Sequence, residues 1–203
     1  MIAKIIVQLT RFLCGANVRW LGCEPRDHQR IYFANHTSHL DFLVIWSALP
    51  ISLRNKTRPV AARDYWLAKP WRRYLAEHVF HAVLIERHKI PAPDSPDNPL
   101  NIMLAALKKK FSLILFPEGS RNVEEEMQSF KSGLYHLAKA VPGVELIPVY
   151  LENLSRILPK GEFLPVPLIG SITFGPAMAL GSQETKADFL NRCRHAIKSL
   201  EDL

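Results

Sequence analysis

At 203 residues the chain has the length of one ordinary domain, enough to enclose a real core, and 22% charged residues in an otherwise ordinary composition exclude a disordered chain. The formal net charge of +7 suits an acidic partner: nucleic acid, an anionic membrane surface or a phosphorylated substrate. Cys14, Cys23 and Cys193 have neither zinc nor redox spacing. Such an odd, scattered set excludes a secreted disulfide scaffold and reads as free thiols in a reducing compartment. The sequons at Asn35, Asn55 and Asn153 are then coincidental.

Residues 2–18 place Ile2, Ile5, Ile6, Leu9, Phe12 and Leu13 on one helical face, with Lys4, Gln8 and Arg11 elsewhere. This amphipathic helix suits either an interfacial anchor lying in a membrane surface or packing on the domain's own core. No apolar run reaches the ~18 residues of a membrane-spanning helix, and no secretory cleavage pattern follows. The chain is therefore divided into a helical segment at 1–22 and a domain at 23–203.

Ile31-Tyr32-Phe33-Ala34 reads as a buried strand ending in the polar cluster Asn35-His36-Thr37-Ser38-His39-Leu40-Asp41. A helix, apolar nearly all round, follows from Leu40 to near Pro50. Arg58–Arg63 suggests a short strand, and Tyr65–His78 a helix whose Trp66, Trp71, Arg72 and Arg73 suit an interface or ordinary helix packing equally. The strand Ala82–Ile85 leads into Glu86-Arg87, and residues 91–97 form a Pro-rich loop. Asn98 and Pro99 look like the N-cap and first residue of a helix with Leu100, Met103, Leu104 and Leu107 along one face, closed by Lys108-Lys109-Lys110.

A further strand, Ser112–Leu115, runs into Phe116-Pro117-Glu118-Gly119-Ser120-Arg121. Glu124-Glu125-Glu126 reads as a solvated face, because consecutive helical residues point in different directions and do not converge on a metal. Phe130-Lys131-Ser132-Gly133 opens a helix over Leu134–Ala140. The strand Glu145–Tyr150 contains Pro148, which marks an edge or bulge position. An apolar run at Leu168–Phe174 and a closing helix over Lys186–Leu200 complete the chain. Strands alternating with helices predict a single α/β domain with a largely parallel sheet.

Two strand-end clusters carry the chemistry. Positions five apart on a regular helix are rotated by roughly 140°, so His36 and Asp41 meet only if His36 lies in the loop and Asp41 in the helix's first turn. Ser38 or Thr37 are then candidate caps. The result is an imidazole held by a carboxylate, the arrangement of a general base. The spacing alone is weak, since roughly one such chain in four holds it by chance. The second cluster strengthens it: Pro117 and Gly119 flank Glu118 in a tight turn, and Arg121 offers a fork suited to phosphate. One cluster deprotonates a hydroxyl while the other holds an anionic acceptor.

The blocks NHTSHLD, LIER, FPEGSR and IPVY, in that order from Asn35 to Tyr150, resemble the glycerophosphate acyltransferase family, nearest its 1-acylglycerol-3-phosphate branch. In that family's second block a Gly and a Phe usually precede an acidic residue and Arg; here those slots hold His81, Leu84, Glu86 and Arg87. The resemblance implies that His36 and Asp41 are catalytic. It assigns Glu118, Gly119, Arg121 and Arg87 to acceptor and phosphate binding, and Lys131 to a phosphate or acyl-carrier contact. It also implies acyl-coenzyme A or acyl carrier protein as donor and a lysophospholipid as acceptor. The positive charge, the free thiols and the lack of a spanning run add an anionic membrane surface as partner, with the chain peripheral on its cytoplasmic side.

No cofactor or metal is expected, since P-loop, Gly-x-Gly-x-x-Gly and metal patterns are absent, as is a serine-hydrolase elbow. Nucleic acid is not expected either, because the basic residues are dispersed. Two alternatives stay open: an acyltransferase or transacylase for another lyso-lipid, and a non-catalytic membrane-surface binding module.

Overall fold

The computed structural model describes residues 1–14, 17–38, 40–87, 91–121, 127–153 and 170–201. Helix α1 spans Ile2–Cys14 and is followed by strand β1 at Asn17–Trp20. The expected helix over 2–18 is thus too long. Asn17 and Val18 are paired in parallel with Ser171 and Ile172, so a segment drawn as helical to residue 22 contains a strand of the sheet. Val18 and Trp20 are bulky residues suited to a pleated surface, and sheet pairing overrides the helical periodicity continued from α1.

Next come β2 at Arg30–Ala34, α2 at Asp41–Ala48, the short α3 at Ile51–Arg54 and β3 at Thr57–Ala62. The helix predicted over 65–78 is three pieces: α4 at Arg63–Leu67, α5 at Pro70–Tyr74 and a π-helical turn at Leu75–Val79. Pro70 is the first residue of α5 and has no N–H for the preceding turn, which separates α4 from α5. After the π turn His81 adopts φ +48°, the left-handed region, in the slot where the resembling family carries glycine. Histidine is among the side chains that tolerate this region best. β4 follows at Val83–Ile85.

The remaining elements are α6 at Pro99–Lys108, β5 at Ser112–Leu115, α7 at Gly133–Ala140, β6 at Glu145–Glu152, β7 at Ser171–Phe174 and α8 at Lys186–Lys198. The expected cap of α6 is present, with the Asn98 side chain accepting from Leu100 N–H. The Glu124–Glu126 run, and the start of the apolar run at Leu168, lie outside the described residues.

The described strands form a seven-stranded sheet in the order β1-β7-β6-β2-β5-β3-β4. It is parallel throughout except for the β6–β7 pair. Tyr32 and Ala34 face one layer, with Val44, Ile45 and Trp46 of α2 and Val7 of α1. Ile31 and Phe33 face the other, with Met103 and Leu107 of α6, Leu134 and Leu137 of α7 and Phe189, Cys193 and Ile197 of α8. The sheet is buried on both faces, as parallel strands require.

Pro148 is not on an edge strand, because β6 lies between β2 and β7. The bulge half of the expectation fits better. Pro148 sits between the Leu146–Met178 bridge and the Val149–Phe174 pair, where the antiparallel register slips by one residue and a missing N–H costs no ladder bond.

Helix α2 is closed by a buried arginine. Arg54 donates from Nε to Trp46 O at 2.9 Å and from Nη2 to Ser47 O and Leu49 O at 3.2 and 2.7 Å. Its guanidinium also lies 5.0 Å from the Trp46 ring centroid. Burial pushes the Arg54 guanidinium below its ordinary range, and nearby Arg11 pushes it further. The last carbonyls of a helix have no intrahelical donor, so Arg54 supplies one from within the core. Arg54→Met is expected to lower stability by about 2–4 kcal/mol, because it leaves buried carbonyls unpaired. A shift in the urea midpoint checks this, and an unchanged midpoint would contradict it.

Candidate active site

Strands β2 and β5 are adjacent, parallel and in register, with Phe33 opposite Leu115. The residues after each strand therefore emerge side by side at one sheet edge, where open α/β folds place their chemistry. His36 and Glu118 each lie three residues beyond that pair. The His36 backbone N–H donates to Glu118 Oε1 at 2.8 Å, tying one loop to the other.

His36 is in the loop and Asp41 in the first turn of α2, as the spacing required. Asp41 is fully buried, and its Oδ2 lies 2.8 Å from His36 Nδ1. The same oxygen accepts backbone N–H groups from Thr37 and Ser38 at 2.7 and 2.9 Å. Asp41 thus folds the loop and orients the ring at once. The expected side-chain cap by Thr37 or Ser38 is not what opens α2. Leu40 occupies the N-cap without a side-chain bond, and Ser38 Oγ accepts weakly from Leu40 N–H at 3.3 Å.

The imidazole stacks on Phe116, with centroids 4.2 Å apart and planes at 20°. With Nδ1 engaged, Nε2 has no protein partner among the described residues and the ring lines a cavity. The sequence assigns no structural role to Phe116 or Asn35. Asn35 bridges β2 to β6, donating to Leu151 O at 2.9 Å and accepting from Leu151 N–H at 2.8 Å. Nothing near Asn35 in the sequence points to a partner so distant.

Glu118 is placed differently from an acceptor contact. It is 3% exposed, and its oxygens accept from the backbone N–H groups of His36 and Gln128. Burial pushes its carboxyl above the ordinary range, and those two donors partly offset this. Its carboxylate faces backbone and is not part of the cavity wall.

The neighbouring Gly119, Ser120 and Arg121 do line the cavity. Gly119 has φ +77°, and Lys131 Cε and Nζ lie 2.6 Å from where a β-carbon would sit. The left-handed turn favours glycine here, while the end of the Lys131 side chain crossing above it is flexible and could give way to a β-carbon. The Lys131 backbone N–H donates to Pro117 O at 2.8 Å, which holds the two segments together.

The cavity encloses about 790 Å³. Its lining includes the aromatic residues Phe42, Trp66, Trp71 and Phe80, with Phe42 and Trp66 packed edge-on against Phe80. Arg87, Arg121, Lys131, Ser132 and His136 line the same cavity, together with the carboxylate-bearing Glu86. His36 is part of this lining. The structure thus brings His36, Asp41, Gly119, Arg121, Arg87 and Lys131 to one place, with Glu118 behind them. No group of three or more His, Cys, Asp or Glu residues with metal-binding geometry occurs among the described residues.

An imidazole oriented by a buried carboxylate on the wall of a largely apolar cavity defines an α/β protein equipped to move a proton. A family model described as Acyltransferase matches residues 17–152, and the chain belongs to that family. It is 30% identical over 168 residues to a 1-acyl-sn-glycerol-3-phosphate acyltransferase of Limnanthes alba, covering 81% of this chain and 56% of that one. It is 36% identical over 138 residues to 1-acyl-sn-glycerol-3-phosphate acyltransferase LPAT1, chloroplastic, of Arabidopsis thaliana, covering 67% and 35%. The chain spans about half the length of the first curated relatives it matches. The crystal structure of the 1-acyl-sn-glycerophosphate acyltransferase PlsC from Thermotoga maritima shares the fold. Its TM-score is 0.73 at 21% identity, over 99% of this chain and 79% of that one.

Proposed function

We propose that this chain transfers an acyl group from a thioester, acyl-coenzyme A or acyl carrier protein, to the free hydroxyl of 1-acylglycerol-3-phosphate. The observation that carries this is the imidazole fixed by a buried carboxylate on the wall of a cavity whose lining includes both aromatic and basic side chains. His36 Nε2 takes the hydroxyl proton as the oxygen attacks the thioester carbonyl. The tetrahedral adduct then expels the thiolate, which receives that proton from His36 and leaves as a thiol. Base catalysis of this kind contributes about 10²–10⁴-fold, and positioning of the two substrates supplies more. Arg87, Arg121 and Lys131 hold the acceptor's phosphate, and the aromatic residues hold acyl chain. Glu118 serves this reading by locking the His36 loop.

Peripheral attachment to an anionic membrane belongs to the same proposal. Val7 and Thr10 pack inward from α1, whereas Ile2, Ile5, Leu9 and Phe12 stay exposed, Phe12 at 82%. Trp71 and Tyr74 of α5 are exposed as well, and both Leu9 and Trp71 also line the cavity. An apolar surface continuous with the cavity suits entry of a lipid from an interface. No helix among the described residues is long and apolar enough to cross a membrane.

The test is transfer of labelled acyl groups to 1-acylglycerol-3-phosphate presented in phosphatidylglycerol-containing vesicles, with co-sedimentation measured in parallel. Thioester-dependent product and vesicle binding that weakens with Phe12→Ser are the expected results. Product only with another lyso-lipid would move the acceptor, and product without a thioester would indicate a transacylase. No transfer with any pairing would leave a membrane-binding module and overturn the proposal.

A further inference from the structure

Arg87 lies beyond β4 and Asp64 beyond β3, each two residues past the paired positions Ala62 and Ile85. Parallel pairing therefore sets their side chains next to each other at the sheet edge that carries the site. Arg87 Nη2 donates to Asp64 Oδ1 and Oδ2 at 3.2 and 2.9 Å. Nη1 and Nε have no partner among the described residues, and Arg87 lines the cavity. The carboxylate thus grips one corner of the guanidinium and leaves the remaining donors available to an anion.

The geometry points to Asp64 as a positioning residue for the acceptor's phosphate, acting through Arg87; this rests on the role given to Arg87 above. An arginine at a strand end has a long, freely rotating stem, and a fixed fork loses less freedom on binding phosphate than a loose one. The pair is half-exposed, with side chains 40% accessible on both sides. Such pairs contribute little to folding, so the effect of Asp64 belongs in binding. A carboxylate beside an anion site otherwise weakens anion binding by repulsion. Positioning and simple charge thus predict opposite signs.

The experiment measures kcat and the KM for donor and acceptor separately in Asp64→Ala and Asp64→Glu, in the native and Arg87→Ala backgrounds. For Asp64→Ala the acceptor KM, with the lysophosphatidic acid as the varied substrate, is expected to rise about 3- to 10-fold. The donor KM, kcat and melting midpoint stay near native values, and Asp64→Glu recovers part of the loss. In the Arg87→Ala background Asp64→Ala adds nothing further, the signature of two residues acting as a unit.

An acceptor KM that falls or stays unchanged with Asp64→Ala overturns the proposal. So does an equal loss with and without Arg87, or a fall in kcat together with the melting midpoint, which marks a structural role. If Arg87→Ala leaves the acceptor KM unchanged, the phosphate role of Arg87 falls and this proposal with it. A rise for Arg87→Ala without one for Asp64→Ala overturns this proposal alone. Absence of transfer by the native chain removes the proposed function itself.

Discussion

Replacing His36 by alanine is expected to lower acyl transfer by about 10²–10⁴-fold, the range that a positioned general base supplies. The loss should fall on kcat, since in the proposed reaction the ring meets the acceptor's hydroxyl, and its removal leaves the lining residues Arg87, Arg121 and Lys131 intact. The loop should hold, because the tie from position 36 to Glu118 is made by the backbone N–H and survives in alanine. Thr37 and Ser38 likewise keep Asp41 in place through their own N–H groups. A melting midpoint near the native value with transfer reduced by at least about 10²-fold is the result sought. Unchanged transfer would remove His36 from the chemistry.

The second large effect is expected at Asp41, where two substitutions separate two functions. In Asp41→Asn the amide oxygen can occupy the position of Oδ2 and keep its bonds to Thr37, Ser38 and the imidazole. Its NH₂ then replaces Oδ1, which is buried without a partner among the described residues. What disappears is the negative charge beside a ring that becomes an imidazolium in the proposed reaction. A fall in kcat of at least about 10²-fold with little loss of fold follows from removing that stabilisation. Asp41→Ala also frees the loop's N–H groups, and should add a stability loss of about 1–3 kcal/mol.

The double variant of Asp41→Asn with His36→Ala should be no slower than His36→Ala alone, because residues acting as a unit are not additive. Full additivity of the two losses would show that Asp41 acts independently of the ring.

Both expectations depend on a local feature that the sequence could reveal. The five-residue separation of His36 and Asp41 forces a loop–helix junction if the side chains are to meet, and that is the arrangement found. Strand periods at 31–34 and 112–115 and the Asn98-Pro99 helix start are local in the same sense. A few residues of pattern determine them.

Elsewhere a local pattern was outweighed by a distant one. The helical spacing of α1 runs on into Asn17 and Val18, but pairing with β7 makes them a strand. Pro148 looked like an edge residue because its missing N–H is costly in a ladder; only the slipped register with β7 permits it inside the sheet. Glu118 belongs to a block that suggests anion binding, yet its carboxylate is spent on two backbone N–H groups, one of them in the β2 loop.

By itself the sequence determined the alternation of strands and helices, the two strand-end clusters and the geometry within the first of them, because each follows from backbone periodicity and short-range spacing. The tertiary structure alone decided the strand order. That order places β2 beside β5 and β3 beside β4, and so brings His36 to Glu118 and Arg87 to Asp64. The physical reason is that strand pairing joins segments far apart in the chain. Which segments join is decided by the burial of both sheet faces as a whole.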